Sequence, residues 1–162
     1  MKGVVLGLHV NPDGGVPKHP VDTLSVHREG CVGDKQNDRK HHGGVLKAVS
    51  ILEQHVMEGL QSEGHPIVPG STGENVLIGG TSRGDLMIGS LLELGDVLLS
   101  ITSDAPPCKT IKASFTTGDF NRLSHRKNAG QTRWYARVLR EGRISVGDDV
   151  AIFNEDGPIE NQ

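Results

Sequence analysis

The sequence has few aromatic residues, which make up 3% of its 162 positions. Proteins that stack single-stranded bases need aromatic side chains, so we do not expect this class of nucleic-acid binder. The sequence contains seventeen lysines and arginines and twenty acidic residues, and the net charge of −3 argues against non-specific binding to nucleic acid. No apolar run is long enough to span a bilayer, so we expect no association with a membrane.

Cysteine is also scarce, with one residue at position 31 and one at position 108. The N-terminus runs directly into a strand pattern and lacks the layout of a secretion signal. We therefore expect a cytoplasmic protein with reduced thiols. We interpret Cys31 as a structural residue, because a free cysteine commonly behaves as a small buried hydrophobe. The alternative is a second thiol near the ligand pocket, since Cys31 comes just before a basic loop.

Glycine, in contrast, is abundant, and many of the 22 glycines lie between short apolar runs. This layout predicts a turn-rich β protein. Gly95 and Gly147 each precede an aspartate and then an apolar run, which predicts two related turns that lead into strands of a barrel. Further strands are predicted over 134–139 and 143–146, joined by a hairpin turn at Glu141-Gly142.

One apolar stripe has the spacing of a helix, with residues recurring at intervals of three and four. Gly64 and Pro66 follow it as termination signals. The sequence therefore predicts a helix whose apolar face is formed by Val45, Val49, Leu52, Val56 and Leu60.

A polar loop at 30–44 precedes this predicted helix and is rich in cationic side chains. A loop that enters a helix N-terminus is a natural site for a phosphate or another oxyanion. The alternative is a solvated loop that binds nothing. The adjacent His41 and His42 have no acidic or cysteine partners at ligand spacing, so they are a weak zinc signal.

Cys108 lies between an apolar strand and a predicted short helix over 109–115, directly after Pro106 and Pro107. The prolines fix the backbone before the cysteine. A thiolate at a helix N-terminus, next to Lys109, is stabilised by the unpaired N–H groups and the positive charge. The pattern indicates a reactive or metal-ligating cysteine, and the alternative is a buried inert one.

Five sequence blocks occur in the order of one known family. They are 33–36 (GDKQ), 42–49 (HGGVLKAV), 73–76 (GENV), 94–97 with 107–108 (LGDV and PC), and 133–139 with 142–148. Together they resemble the MOSC family, the domain found at the C-terminus of molybdenum-cofactor sulfurase. The resemblance implies a mainly β, barrel-like fold with a few helices. It also implies a small stand-alone member with one MOSC domain at 1–153. The polar composition of 154–162, with little to bury, predicts a C-terminal tail.

The resemblance further implies a site for the pterin-based molybdenum cofactor, with Cys108 as catalytic residue and molybdenum ligand. Glu74 and Asn75 by themselves are more typical of side chains that stabilise a turn. Within the family pattern they become candidate contacts to the pterin edge. The candidate cofactor-binding residues are Lys35, Arg39, His42, Gly43, Gly44, Gly73, Glu74, Asn75, Arg133 and Arg137.

Two functions follow from this resemblance. The first is a molybdenum-dependent reductase of N-hydroxylated substrates, which would receive electrons from a separate partner protein. The second is a carrier of persulfide sulfur on Cys108, loaded by a cysteine desulfurase, or a cofactor-delivery module. Many reductases of the family carry an arginine shortly before the cysteine, whereas this chain has Asp104 in that region. A third interpretation is a degenerate relative of the family that binds some other anion.

Overall fold

A computed structural model describes residues 2–35 and 44–154, and this part of the chain is mainly β. Within it, no helix is long and apolar enough to cross a membrane. The strands are β1 Lys2–Val10, β2 His19–Val21, β3 Thr23–His27, β4 Gly30–Cys31, β5 Val49–Glu53, β6 Val76–Gly79, β7 Leu91–Leu94, β8 Val97–Ala105, β9 Arg133–Arg140, β10 Gly142–Ser145 and β11 Asp149–Phe153. The helices are α1 Gln54–Ser62 and the 3₁₀ helices Val45–Lys47, Lys109–Ser114, Thr116–Gly118 and Phe120–Arg122.

Seven strands close into a barrel in the order β11-β7-β8-β9-β5-β6-β1, because β1 also pairs with β11. The β5–β6 pair is parallel, and the other neighbours in the ring are antiparallel. β2 extends the sheet beyond β1, and β10, β3 and β4 form a separate small sheet. The predicted mainly β, barrel-like fold is therefore confirmed.

The barrel strands bury side chains on both faces. Ile51 and Trp134 belong to the core inside the barrel, whereas Leu52 belongs to a second core outside it. Neighbouring residues of a strand point to opposite faces, which explains this division. The second core packs α1 and the 3₁₀ helix Lys109–Ser114 against the barrel through Leu60 and Ile111. The segment that follows Cys108 is thereby fixed to the barrel's outer wall.

The helix predicted from Val45 onward is wrong in its first half. Val45–Lys47 forms only one 3₁₀ turn, and Val49–Glu53 is strand β5. Every residue of β5 is buried, and a strand buried on both faces presents an apolar run that also fits helical spacing. Only Gln54–Ser62 is α-helical. A single 3₁₀ turn has no α-helix N-terminus that could bind an oxyanion. The helix on which the predicted oxyanion site of loop 30–44 depended is therefore absent at this position.

The hairpin predicted at Glu141-Gly142 is also wrong. After β9 the chain leaves the barrel, and β10 pairs with β3 of the small sheet rather than with β9. A Cβ atom at Gly142 would lie 2.6 Å from the Cβ of Asp96, so only glycine allows this close passage. The two predicted Gly-Asp turns do lead into strands, Gly95 into β8 and Gly147 into β11. At Gly95 the turn closes a hairpin, in which Leu94 pairs with Val97 across β7 and β8.

Candidate functional site

A cavity of about 390 Å³ lies against the outer face of the barrel and contains the Cys108 side chain. Its floor includes Ser50 of β5 and Tyr135 of β9, which alternate with residues of the barrel's interior core. Among the described residues its walls contain no carboxylate. They do contain five cationic side chains, those of Lys18, Lys35, Lys47, Lys109 and Arg133. We call this space the Cys108 cavity; its lining favours an anionic ligand.

Cys108 follows strand β8 and forms the N-terminal cap of the 3₁₀ helix Lys109–Ser114, as the sequence predicted. Its thiol is free and half-buried, and its sulfur lies 2.8 Å from the hydroxyl oxygen of Thr110. The helix is a short 3₁₀ segment with only a small dipole, so the positive surroundings come from side chains instead. The geometry exposes one thiol to a cationic cavity.

Arg133 is the most deeply buried cation of the Cys108 cavity, with 7% of its surface exposed. Its Nη1 donates to the carbonyl of Thr72 at 2.7 Å, and its Nη2 lies 3.4 Å and 3.3 Å from the carbonyls of Ala105 and Pro106. Arg133 therefore connects the segment that leads to Cys108 with the glycine-rich turn before β6.

The guanidinium of Arg133 has unused capacity for binding an anion. Its Nε is buried without a hydrogen-bond partner, and its Nη1 and Nη2 contact backbone carbonyls. Burial lowers the pKa of Arg133, and this is only partly opposed by Tyr135, Glu74 and Cys108. A buried cation destabilises the folded protein unless an opposite charge lies close to it. An anion in the Cys108 cavity would provide that charge.

Glu74 does not line the Cys108 cavity. Its carboxylate is fully buried and accepts hydrogen bonds from the backbone N–H of Gly70 at 2.6 Å and the hydroxyl of Thr72 at 2.7 Å. Gly73 does line the cavity, in a left-handed conformation with φ of 81°. A Cβ atom on Gly73 would lie 2.8 Å from Val16, so the turn requires glycine here. In this structure Glu74 stabilises the turn.

Asn75 borders the cavity, but its side chain is bonded to the protein itself. Its Oδ1 accepts from the backbone N–H and the hydroxyl of Ser50, at 3.1 Å and 3.2 Å. Its Nδ2 donates to the carbonyl of His9 at 3.1 Å and to Asp34 at 2.9 Å. Asp34 also binds Lys18 at 2.7 Å. Asn75 thus joins its own turn to three other chain segments, and Asp34 in turn holds Lys18 at the wall of the Cys108 cavity.

We expect Asn75→Ala to reduce the free energy of unfolding by roughly 2–4 kcal/mol, because buried partners lose their hydrogen bonds. Urea unfolding followed by circular dichroism measures this change. Asn121→Ala is the matched control: Asn121 is exposed, and we expect a change within about 0.5 kcal/mol. A loss below about 1 kcal/mol for Asn75→Ala would contradict the network's role.

A family model described as MOSC domain matches residues 38–151. The chain belongs to the MOSC family. This family is linked in general to the molybdenum cofactor. The anion-favouring cavity, lined by the half-buried thiol of Cys108, is thus the candidate cofactor site of a MOSC domain.

Two curated relatives are similar to this MOSC protein over most of its length. One is the uncharacterized protein YflK of Bacillus subtilis, 28% identical over 142 residues, which cover 86% of this chain and 63% of YflK. The other is named "Reductase", from Gibberella moniliformis, and is 28% identical over 134 residues. That match covers 80% of this chain and 23% of the reductase. The chain therefore spans less than two thirds of either relative.

Solved structures with low sequence identity share the fold. The YUAD protein of Bacillus subtilis superposes with a TM-score of 0.77 at 18% identity, covering 94% of this chain and 96% of its own. YiiM of Escherichia coli gives a TM-score of 0.69 at 19% identity, covering 96% of this chain and 71% of its own.

The structure brings five of the ten predicted cofactor-binding positions into this region of the MOSC domain. Lys35, Gly73, Asn75 and Arg133 line the Cys108 cavity, and Glu74 supports the turn beside it. Gly44 caps the 3₁₀ helix Val45–Lys47 and does not line the cavity. Arg137 is exposed on β9 and also lies outside it. The remaining three, Arg39, His42 and Gly43, lie outside the described residues.

Several cavity residues were not predicted as site residues, among them Lys18, Lys47 and Tyr135. The ammonium of Lys47 lies 5.4 Å from the centre of the Tyr135 ring, within the range of a cation–π contact. The alternation along β9 could have indicated Tyr135, because it shares a face with Arg133. Lys18 gives no local signal, since its partner Asp34 is 16 residues away.

Cys31 has the structural role that the sequence predicted. It is buried in the barrel core, and burial, assisted by the charge of Asp34, raises the pKa of its thiol to about 12. Cys31 therefore stays protonated at neutral pH, which makes Cys108 the thiol available for chemistry.

Proposed function

We propose that this MOSC protein binds the pterin-based molybdenum cofactor in the Cys108 cavity, with Cys108 as molybdenum ligand, and reduces N-hydroxylated substrates. One observation carries the proposal. The buried guanidinium of Arg133, with an unpartnered Nε, lines the same cavity as the half-buried thiol of Cys108. A thiolate ligand and an anion site are the two features that this cofactor needs from a protein.

The residues that line the Cys108 cavity fit the molybdenum cofactor. Thiolate is a soft ligand suited to a metal, and the pterin's phosphate matches a wall of lysines with no carboxylate among the described residues. The volume of about 390 Å³ lies within the usual range for small-molecule sites. When bound, the cofactor supplies the oxygen-atom transfer.

In this proposal, the chain's own residues bind the cofactor and orient it. Cys108 provides the ligand sulfur, and Arg133 holds negative charge beside it. Arg133 also ties the Ala105-Pro106 segment to Thr72, which keeps the sulfur close to the glycine-rich turn. Lys47, seated over Tyr135, adds positive charge at the cavity floor. A reductase role agrees with the name "Reductase" of the Gibberella relative, of which the chain spans 23%.

The test is the molybdenum and pterin content of protein purified from a host that makes the cofactor. We expect close to one molybdenum and one pterin per chain, measured by mass spectrometry of the metal and fluorescence of the oxidised pterin. Loaded protein should then reduce an N-hydroxylated base when an artificial electron donor is supplied. Protein without metal and pterin would contradict the proposal. A gain of one sulfur on Cys108 after incubation with a cysteine desulfurase would then support the sulfur-carrier function.

A further inference from the structure

Two of the cations that line the Cys108 cavity, Lys18 and Arg133, are largely buried. The side chain of Lys18 is 14% exposed and Arg133 is 7% exposed, whereas Lys35 and Lys109 are exposed. Water and salt screen an exposed charge, so the two buried cations attract an anion more strongly than the two exposed lysines. The attraction of the cavity for an anion is therefore concentrated at Lys18 and Arg133.

One glycine-rich turn, residues 70–73, holds both of these cations in place. The backbone N–H of Lys18 donates to the carbonyl of Gly70 at 2.9 Å. The Nη1 of Arg133 donates to the carbonyl of Thr72 at 2.7 Å. Consecutive Cα atoms are about 3.8 Å apart, so Gly70 and Thr72 lie within roughly 7.6 Å of each other. Lys18 and Arg133 therefore reach the cavity from the same part of its wall.

Each of the two cations has a hydrogen-bond donor left for an anion. The Nε of Arg133 is buried without a partner. The ammonium of Lys18 has three N–H donors, and within the described chain it donates to Asp34 at 2.7 Å. A guanidinium and an ammonium that converge on one place make charge-assisted hydrogen bonds to a tetrahedral oxyanion.

We infer that Lys18 and Arg133 form the subsite for a phosphate group, and that Asp34 is a positioning residue that holds the Lys18 ammonium at this subsite. The inference rests on the proposed function for the source of the phosphate, which is then the pterin cofactor; inorganic phosphate has the same chemistry. The Nη2 of Arg133 faces the segment that leads to Cys108, whereas its Nη1 faces the turn to which Lys18 is bound. The phosphate subsite is therefore on the turn side of Arg133.

Asp34 lies behind Lys18 and does not line the cavity, so it acts on a ligand only through Lys18. Its side chain is 5% exposed, and it accepts hydrogen bonds from the N–H of Asn11 at 2.8 Å and from Nδ2 of Asn75 at 2.9 Å. A carboxylate fixed in this way orients the ammonium before a ligand arrives, which favours binding. The negative charge of Asp34 by itself opposes the binding of an anion. Positioning and charge therefore change the affinity in opposite directions.

The first measurement is the affinity of cofactor-free protein for inorganic phosphate, by isothermal titration calorimetry at constant ionic strength. For Lys18→Gln we expect binding about tenfold weaker, because a charge-assisted hydrogen bond is lost. Lys109→Gln removes an exposed cation of the same cavity, and we expect a loss of only about twofold. Equal losses in the two variants would overturn the subsite, and so would a wild-type protein that does not bind phosphate.

Asp34→Asn separates positioning from charge. Asparagine has one acceptor oxygen and no charge, so its hold on the Lys18 ammonium is weakened, and we expect phosphate binding about three- to tenfold weaker. Asp13→Asn is the matched control, because it makes the same change of charge at an exposed position outside the cavity; affinity should stay within about twofold. Tighter or unchanged binding in Asp34→Asn would show that Asp34 does not position Lys18.

The double variant Lys18→Gln/Asp34→Asn distinguishes positioning from general damage to the fold. Without Lys18 there is no ammonium to position, so Asp34→Asn should no longer weaken phosphate binding in this background. A variant that binds weakly because its fold is disturbed would lose the same factor with or without Lys18. That result would overturn the role of Asp34, and thermal unfolding of each variant without phosphate measures the disturbance directly.

Metal content and competition separate this inference from the proposed function. Phosphate binding that depends on Lys18, in a protein that never acquires molybdenum or pterin, supports the subsite and rejects the proposed function. Molybdenum in the wild type, together with equal losses for Lys18→Gln and Lys109→Gln, does the opposite. Where pterin binds, inorganic phosphate should compete with it, because both occupy one subsite. Pterin binding that saturating phosphate leaves unchanged would overturn the assignment of this subsite to the cofactor.

Discussion

Replacing Cys108 by serine is expected to reduce molybdenum in the purified protein to background while the fold stays intact. Cys108 is half-buried, and serine keeps its small size, so little packing is lost. A serine hydroxyl is a poorer ligand than a thiolate, because it stays protonated at neutral pH and its oxygen is hard rather than soft. Metal analysis of protein from a cofactor-producing host measures the effect, and thermal unfolding verifies the fold.

The chain provides a matched control in its other cysteine. Cys31→Ala removes a thiol that stays protonated and lies in the barrel core, outside the Cys108 cavity. We expect this variant to keep its molybdenum, with a modest loss of stability from the missing sulfur. A normal metal content in Cys108→Ser, or an equal loss in both variants, would exclude Cys108 as the ligand.

Arg133→Met is expected to weaken cofactor binding by about 10- to 150-fold, the equivalent of losing one charge-assisted interaction of about 1.5–3 kcal/mol. Methionine fills much of the same volume but cannot bind an anion or the three carbonyls. Some stability is lost with those bonds, and some is regained because a buried, unneutralised charge is gone. Affinity is read from pterin fluorescence during titration of the free protein.

Arg137 is the matched control for Arg133, because it lies two residues further along β9 and is exposed outside the cavity. Arg137→Met should leave affinity within about twofold, since exposed charges act weakly through solvent. Arg133→Lys keeps the charge but has one ammonium group for two chain segments, so we expect partial recovery. Equal losses for Arg133→Met and Arg137→Met would show that only overall charge matters.

Short-range sequence patterns were enough to predict the fold class and the local setting of Cys108. The Gly95 turn, the position of Cys108 before a short helix and the mainly β fold follow from turn residues, prolines and short apolar runs. Strand β5 could not be separated from a helix, because burial on both faces removes the alternation that identifies a strand.

The roles of Glu74 and Asn75 could not be predicted because their partners are set by the fold. Asn75 bonds Ser50, Asp34 and His9, which lie 25, 41 and 66 residues away along the chain. A polar side chain in a glycine-rich turn has the same appearance in sequence whether it binds a ligand or the protein. Only the three-dimensional arrangement shows that the amide of Asn75 is already engaged.

The pairing of β1 with β11 has a consequence for how the protein folds. Lys2 pairs with Ala151, so the ring joins segments from opposite ends of the described chain. Contacts this distant in sequence are slow to form, because a long loop must close first. Until β11 is in place, β1 and β7 each present an unpaired edge, and open edges promote aggregation. The folding chain is therefore most prone to aggregate while β11 is undocked, although every residue that lines the Cys108 cavity precedes β11 in the sequence.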